Sequence, residues 1–347
     1  MDRTSAQAEA AGGSWVIGID VGGSGIRLAL APDAWPADLS RARTVELASP
    51  ARISGAGHDA DALLGQLLPA LGPLAASVRA DGRADGRTGG CVSAVAIGAT
   101  GMALLGRDLA AKLPAPLARA TGAGRLVLAG DAISAYAGAL GARPGVAVAA
   151  GTGLVAIGFH PDTGWRRADG WGQLLGDCGG GAWIGRAGLE AALRAYDGRA
   201  GGSPALLESA ERRYGPVTGL PAALQPRPDR AALLAAFAPE VAMAAEAGCA
   251  VAGGIVRRAG EEIAVSAAAA AGAAALTEPQ IALTGGLFNL PSVRGAAVAT
   301  LAAVLPAARP RRPDGPPLLG ALRLAATAAA PPWPLDPPLL DVRTWTG

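Results

Sequence analysis

Two stretches set the strongest limit on what this chain can fold into. "WVIGIDVGGSGIRLAL" (15–30) and "GVAVAAGTGLVAIGF" (145–159) use one device twice, about 130 residues apart. An apolar run of strand length ends in a glycine turn, and a second apolar run returns from it. The runs are nearly continuous rather than alternating, which fits strands covered on both faces. Segments of strand and helix pattern follow each copy. Two related α/β halves, each with its own sheet, account for this better than a single sheet does.

The elements expected between these anchors are few. A helical pattern covers 59–80 with Leu63, Leu64, Leu67, Leu68 and Leu71, and "RADGRADGRTGG" (79–90) reads as a surface loop. "CVSAVAIGATG" (91–101) is a buried strand entering a turn, and "RLVLAGDAISAYAGAL" (125–140) is a strand giving way to a helix near Asp131. A glycine-heavy loop from 170 feeds a helix to 196, residues 227–276 are mostly helical, and 281–293 is a strand, a glycine turn and a helix start. A last helix is expected over 316–329. Residues 331–338 carry five prolines, so the tail is expected to be extended. The expected division is a flexible leader (1–13), an N-terminal domain (14–140), a C-terminal domain (141–330) and a Pro-rich tail (331–347).

Composition removes several classes of function. Hydrophobic residues make up 51% of 347, enough for large cores. The formal net charge is +2 with no basic tract, so neither nucleic acid nor an anionic membrane surface is an expected partner. The mean hydropathy of +0.32 comes largely from alanine. The longest apolar stretch, "IAVSAAAAAGAAAL" (263–276), is shorter than the roughly 20 residues of a spanning helix. Three cysteines (Cys91, Cys178, Cys249) without Cys-x-x-Cys spacing suit a reducing cytoplasm. Two histidines, His58 and His160, sit in no triad-like or ligand-like context. The chemistry left to this chain runs on carboxylates, backbone amides and a hard cation.

The candidate site follows from that. Gly22, Gly23, Ser24 and Gly25 form a turn whose N–H groups are open to phosphate oxygens. Asp20, at the end of the strand before it, can reach a phosphate through magnesium. No Gly-Lys-Ser/Thr follows, so this is not a Walker A loop. The glycines lead into a strand, so it is not a dinucleotide fingerprint. Gly151, Thr152 and Gly153 repeat the device, and Gly285 and Gly286 in "LTGGLFN" give a third bare turn on which a purine or ribose could lie. Asp131 stands where strand gives way to helix, as a helix cap or as a general base for a hydroxyl. In "GWGQLLGDCGGGAWIGR" (170–186), Trp171 lies between glycines and Asp177 follows one. The pair reads as a sugar face and a hydroxyl clamp, or as plain packing and capping.

Taken in order, "GIDVGGSGIRLAL", "AIGATGM", "GDAISAYAGAL", "AGTGLVAIG", "GWGQLLGDCGGGAWIGR" and "LTGGLFN" resemble the N-acetylglucosamine kinase family of the BadF/BadG/BcrA/BcrD ATPase group. The resemblance runs over residues 14–328. It implies the actin/hexokinase/Hsp70-like fold, an α/β pair of ribonuclease-H-like domains with an interdomain cleft. It also implies ATP and Mg2+ as cofactors and transfer to the 6-hydroxyl of N-acetylglucosamine or glucosamine. Asp20 would lie near the magnesium, Gly22–Gly25 and Gly151–Gly153 at the phosphates, and Gly285 and Gly286 at adenosine. Asp131 would be the catalytic carboxylate, with Thr100, Trp171 and Asp177 lining the sugar. The partner is a small-molecule sugar acceptor, and a homodimer is left open. The chain departs from the family pattern at Cys178, where a Glu is usual, at Gly180, where a Ser is usual, and near Pro50, where an Asn sugar contact is usual. The other reading kept in play is an ATPase of this group acting as an activator or sensor without phosphorylating sugar.

Overall fold

A computed structural model of the protein describes residues 13–22, 25–34, 36–47, 53–54, 57–84, 90–100, 108–227, 229–337 and 339–345. Gly23, Ser24 and Pro50 lie outside the described residues. The chain divides into two compact units, Met1–Ala142 with Pro313–Gly347, and Arg143–Arg312.

The first unit opens with the hairpin β1 (Ser14–Gly22) and β2 (Gly25–Pro32), followed by β3 (Arg43–Leu47). A two-stranded ribbon, β4 (Ile53–Ser54) with β5 (Gly57–His58), precedes helix α1 (Ala60–Ala84). Strand β6 (Cys91–Ala99), helix α2 (Pro114–Thr121), strand β7 (Arg125–Gly130) and helix α3 (Asp131–Leu140) complete this run. In the second unit, β8 (Gly145–Ala150), β9 (Leu154–His160) and β10 (Gly164–Asp169) form a meander. Helices α4 (Gly181–Tyr196), α5 (Pro204–Tyr214), α6 (Ala238–Glu246) and α7 (Ala250–Ala273) follow, then β11 (Gln280–Thr284), α8 (Pro291–Val304) and β12 (Arg309–Arg311). The chain then returns to the first unit as α9 (Pro317–Ala326) and β13 (Leu340–Thr344).

The sheets explain why one sequence device occurs twice. The second unit has the order β10-β9-β8-β11-β12. Its first three strands are an antiparallel meander, and β11 and β12 run parallel to β8. The first unit has β3-β2-β1-β6-β7 in the same pattern, with β6 parallel to β1 and β7 parallel to β6. Numbered within each unit, both read 3-2-1-4-5 with strand 2 reversed, the ribonuclease-H-like arrangement expected from the sequence.

Three expectations need correction. The second unit ends at Arg312, not near 330, because α9 packs in the first unit against β1 and α3. Buried Arg323 fastens it there. Its guanidinium donates to the carbonyls of Ala137 (2.9 Å), Gly138 (3.2 Å), Pro36 (3.1 Å) and Ala37 (3.2 Å), and pairs with Asp314 at 3.3 Å. The tail beyond Ala330 is also not merely extended: β13 adds an antiparallel edge strand beside β7, from Leu340 opposite Ala129 to Thr344 opposite Arg125. Its prolines precede the strand and leave its ladder N–H groups in place. Finally, α1 continues through residues 79–84, the first half of the expected loop, because Arg and Ala sustain a helix better than the glycine count suggests.

Two helices show how the apolar stretches are used. The segment Ala60–Val78 of α1 has the length and composition to cross a membrane. Here Leu63, Leu67, Leu71, Leu74 and Val78 are buried in one core with Ile17, Ile19 and Leu128 of the sheet, and Pro69 and Pro73 face out. The alanine-rich α7 buries Ala259, Ile263, Ala264, Ala267 and Ala270. Small residues allow close approach: a side chain on Gly158 of β9 would collide with the carbonyl of Ala270, and one on Gly260 would meet Ala296 at 2.6 Å.

Candidate functional site

In the first unit, the parallel strands β1 and β6 end side by side, with Asp20 level with Gly98. Asp20 is only 7% exposed. Its neighbour across the hairpin is Arg27, whose guanidinium reaches Asp20 Oδ2 at 3.5 Å and Glu46 Oε1 on β3 at 3.2 Å. This shared, distant partner does not offset burial. Burial raises the Asp20 pKa, Arg27 lowers it and the nearby Asp131 carboxylate raises it, leaving it at about 6 against an ordinary 3.8. An ionised Asp20 therefore costs the fold about 3 kcal/mol at neutral pH.

Asp131 is the first residue of α3, directly after β7. Its Oδ1 accepts from the N–H of the next residue, Ala132, at 2.9 Å, but Gly130 is the N-cap and no side chain caps the helix, so Asp131 is not the helix cap the sequence offered as one reading. The position of α3 is fixed by missing side chains. A Cβ on Gly98 would collide with Ser134 Oγ, one on Gly320 of α9 with the carbonyl of Ser134, and one on Gly138 with that of Pro316. Ser134 in turn donates to the carbonyl of Asp131 at 2.9 Å. Thr100, just past β6, donates its N–H to the carbonyl of Val21 at 3.3 Å and so lies at the same sheet end. Gly22 and Gly25 close the hairpin opposite one another, Gly25 with φ 151°.

In the second unit, the turn Gly151–Thr152–Gly153 is clasped by the start of α4. The N–H of Gly181 donates to the carbonyl of Gly151 (2.9 Å) and that of Ala182 to Thr152 (2.8 Å), while Gly151 N–H closes on the Gly153 carbonyl (3.0 Å). The turn's carbonyls thus face α4, and among the described residues the N–H groups of Thr152 and Gly153 meet no acceptor. Gly285, with φ 104°, lies against Ala150 so closely that a side chain would collide with its carbonyl. Gly151 and Gly286, by contrast, have open space where a Cβ would be. The structure therefore brings the second and third glycine turns together.

The loop from 169 to 180 is held by two carboxylates. Asp169 accepts from the N–H of Asp177 (2.7 Å) and of Cys178 (2.9 Å), and Asp177 accepts from that of Gly172 (3.0 Å). Both aspartates have positive φ, 60° and 55°. The Asp177 carboxylate rests on Gly153, where any side chain would collide with it. Trp171 is 65% exposed, with the Arg167 guanidinium 4.2 Å above its ring. The Gly180 departure has a steric reason: a Cβ there would lie 2.8 Å from the Gly153 carbonyl carbon, so a serine could not enter without moving the turn. Burial and the carboxylates of Asp169, Glu262 and Asp177 push the Cys178 thiol up, keeping it protonated.

Sequence reading passed over Arg27 and Asp169. Each left a signal. Arg27 is the lone charge in the apolar strand "GIRLALAP", and Asp169 precedes a glycine, in a conformation Asp tolerates better than most residues. Among the described residues no three His, Cys, Asp or Glu gather as a metal-binding group.

The profile of the BadF/BadG/BcrA/BcrD ATPase family matches residues 17–325. The chain belongs to that family. A protein of Chromobacterium violaceum, provisionally described as an N-acetylglucosamine kinase, shares 29% identity and superposes with a TM-score of 0.66, over 89% of this chain and 98% of that one. An N-acetylmuramic acid/N-acetylglucosamine kinase of Clostridium acetobutylicum is 36% identical over 85 residues, 24% of this chain. That match spans about a quarter (27%) of the Clostridium protein's length. A ROK family glucokinase of Streptomyces griseus, solved with glucose and AMPPNP, shares the fold at 17% identity, with a TM-score of 0.52 over 90% of this chain and 99% of that one. The family member thus has the α/β fold of the actin-like sugar kinases.

Proposed function

We propose that this protein is an ATP-dependent amino-sugar kinase that phosphorylates the 6-hydroxyl of N-acetylglucosamine or glucosamine. The observation that carries the reading is Asp131: a carboxylate at a helix start, directly after a strand end, beside a second and destabilised carboxylate, Asp20. In this reading Asp131 orients the sugar hydroxyl and accepts its proton as the oxygen bonds to the γ-phosphorus. The bond from that phosphorus to the bridging oxygen breaks, and its electron pair leaves on ADP.

The residues present fit magnesium and a nucleotide. Asp20 is a buried carboxylate with too little positive charge around it, which suits a hard cation held through water. A magnesium ion, when bound, would neutralise charge on the phosphoryl group. Gly22, Gly25 and the N–H groups of Thr152 and Gly153 would take phosphate oxygens, and open Gly286, beside packed Gly285, would let adenosine lie on backbone. Gly23 and Ser24 keep their proposed place in the first turn by sequence alone. Thr100, Trp171 and Asp177 would line the sugar. The sulfur of Cys178 in place of a carboxylate, with bare Gly180, favours an acceptor other than N-acetylglucosamine itself, glucosamine first.

The test is ADP release with magnesium against glucosamine, N-acetylglucosamine, N-acetylmannosamine, glucose and buffer. Turnover that depends on an amino sugar and falls away in Asp131→Asn supports the kinase. ATP binding with no sugar-dependent turnover overturns it in favour of an activator or sensor ATPase.

A further inference from the structure

A second recessed surface lies on the second unit, between α4 and α7. It encloses about 330 Å³ and is lined by Trp183, Arg186 and Glu190 of α4 and by Gly254, Arg257 and Arg258 of α7. Three guanidinium groups face a single lining carboxylate. Two of the three are engaged within their own helices, Arg186 with Glu190 at 3.6 Å and Arg257 with Glu261 at 3.7 Å. Arg258 has no carboxylate partner among the described residues, and its guanidinium stands 5.6 Å from the centroid of the half-buried Trp183 ring. The floor includes Gly254, in the body of a 24-residue helix. A glycine there costs the helix about 1 kcal/mol relative to alanine, yet nothing lies within 4 Å of where its Cβ would be. Packing does not demand this glycine. Its effect is to deepen the recess beneath the arginines.

We propose that this groove is a second binding site, for a phosphorylated sugar. Arginine forks match the oxygens of a phosphomonoester, and the indole beside them offers a flat apolar face to a sugar ring. The volume holds one hexose phosphate. Occupancy is felt at the glycine turn through α4. Trp183 follows directly on Gly181 and Ala182, whose N–H groups hold the carbonyls of Gly151 and Thr152. Arg186, one turn on, acts electrostatically on Cys178 in the neighbouring loop. A ligand bridging α4 to α7 therefore fixes the helix end that shapes the turn. The binding claim stands apart from the kinase reading; the regulatory claim rests on it.

Titration calorimetry of the full chain with glucosamine 6-phosphate tests this, with inorganic phosphate and ADP as separate arms. Arg258→Gln removes the unpaired charge. Gly254→Leu fills the floor while improving helix propensity, so the protein stays folded. The expected result is that either variant weakens one class of sugar-phosphate site by about 10- to 100-fold while the affinity for ADP is unchanged. Inorganic phosphate should bind the same site more weakly, and ADP should not compete there. If both variants bind glucosamine 6-phosphate as the wild type does, or if inorganic phosphate alone accounts for all binding lost, the proposal is overturned. It is also overturned if Arg258→Gln weakens ADP binding and ADP competes with glucosamine 6-phosphate, because the groove then belongs to the nucleotide. These outcomes are read by binding, so they remain distinct from a failure of sugar-dependent turnover.

Discussion

The two units share a sheet order but equip it in opposite ways. In the first, the strand ends carry charge: Asp20 is buried with half a partner, and Asp131 is aimed into the same region from a helix start. In the second, the ends of β8 and β11 give way to Gly151–Thr152–Gly153 and to Gly285–Gly286, turns that offer backbone and one hydroxyl. The charged half stores unfavourable electrostatic energy, which a cation would relieve. In the bare half Gly153 and Gly285 are demanded by close neighbours, whereas Gly151 and Gly286 have open space beside them and no steric need to be glycine. One topology therefore supports both an electrostatic and a steric solution to handling phosphate.

The sharpest way to break this contrast is Asp131→Asn. Turnover should fall by about 10²- to 10⁴-fold with the melting temperature nearly unchanged, since Asn keeps the shape of Asp and an oxygen that can accept from the N–H of Ala132; steady-state kinetics beside thermal melts would show it. Gly320→Ala comes next. Its new methyl would strike the carbonyl of Ser134 and lie 2.6 Å from the amide nitrogen of Gly138, so the loss should exceed about 2 kcal/mol in denaturant melts. Asp131 moves with α3, and activity should drop as well.

Asp20→Asn sharpens the electrostatic side. The folded-state pKa of about 6 lies above the ordinary 3.8, so the fold favours the protonated form and wild-type stability declines as pH rises from about 4 through about 6. The Asn variant lacks this decline. It should be more stable than wild type by up to about 3 kcal/mol at pH 8, and equal to it below pH 4, while losing kinase activity. Melts across pH would show the two curves converging in acid. The smallest effect is expected for Gly151→Ala and Gly286→Ala. Both sites are open and neither has positive φ, so stability should stay within about 0.5 kcal/mol. The KM for ATP should nonetheless rise about tenfold, the factor that a lost contact of about 1.4 kcal/mol produces.

Much of this was legible before the structure. The apolar hairpins at 15–31 and 145–159 are visible because buried strands must be continuous, and Asp131 is visible because strand and helix patterns meet there. The membership of α9 and β13 was not legible. Both pack with residues some 180 or more positions away, and local pattern carries no record of long-range pairing. The prolines before Leu340 hid a strand whose partner, β7, was unknown until the sheet was assembled. Asp169 was missed because its role is to hold other backbone: it looks like any turn aspartate until the N–H groups of Asp177 and Cys178 are found on it. Gly180 looked like a lost serine, and only the proximity of Gly153 shows that the position has no room for one.

The most direct measurement is phosphorus and proton NMR of a reaction mixture of protein, MgATP and glucosamine, with N-acetylglucosamine in parallel, for wild type and Asp131→Asn. The account predicts an amino sugar phosphorylated at the 6-oxygen, one ADP per phosphate transferred, and no product with the variant. ATP converted to ADP and inorganic phosphate with both sugars untouched, or equal product from Asp131→Asn, would contradict it.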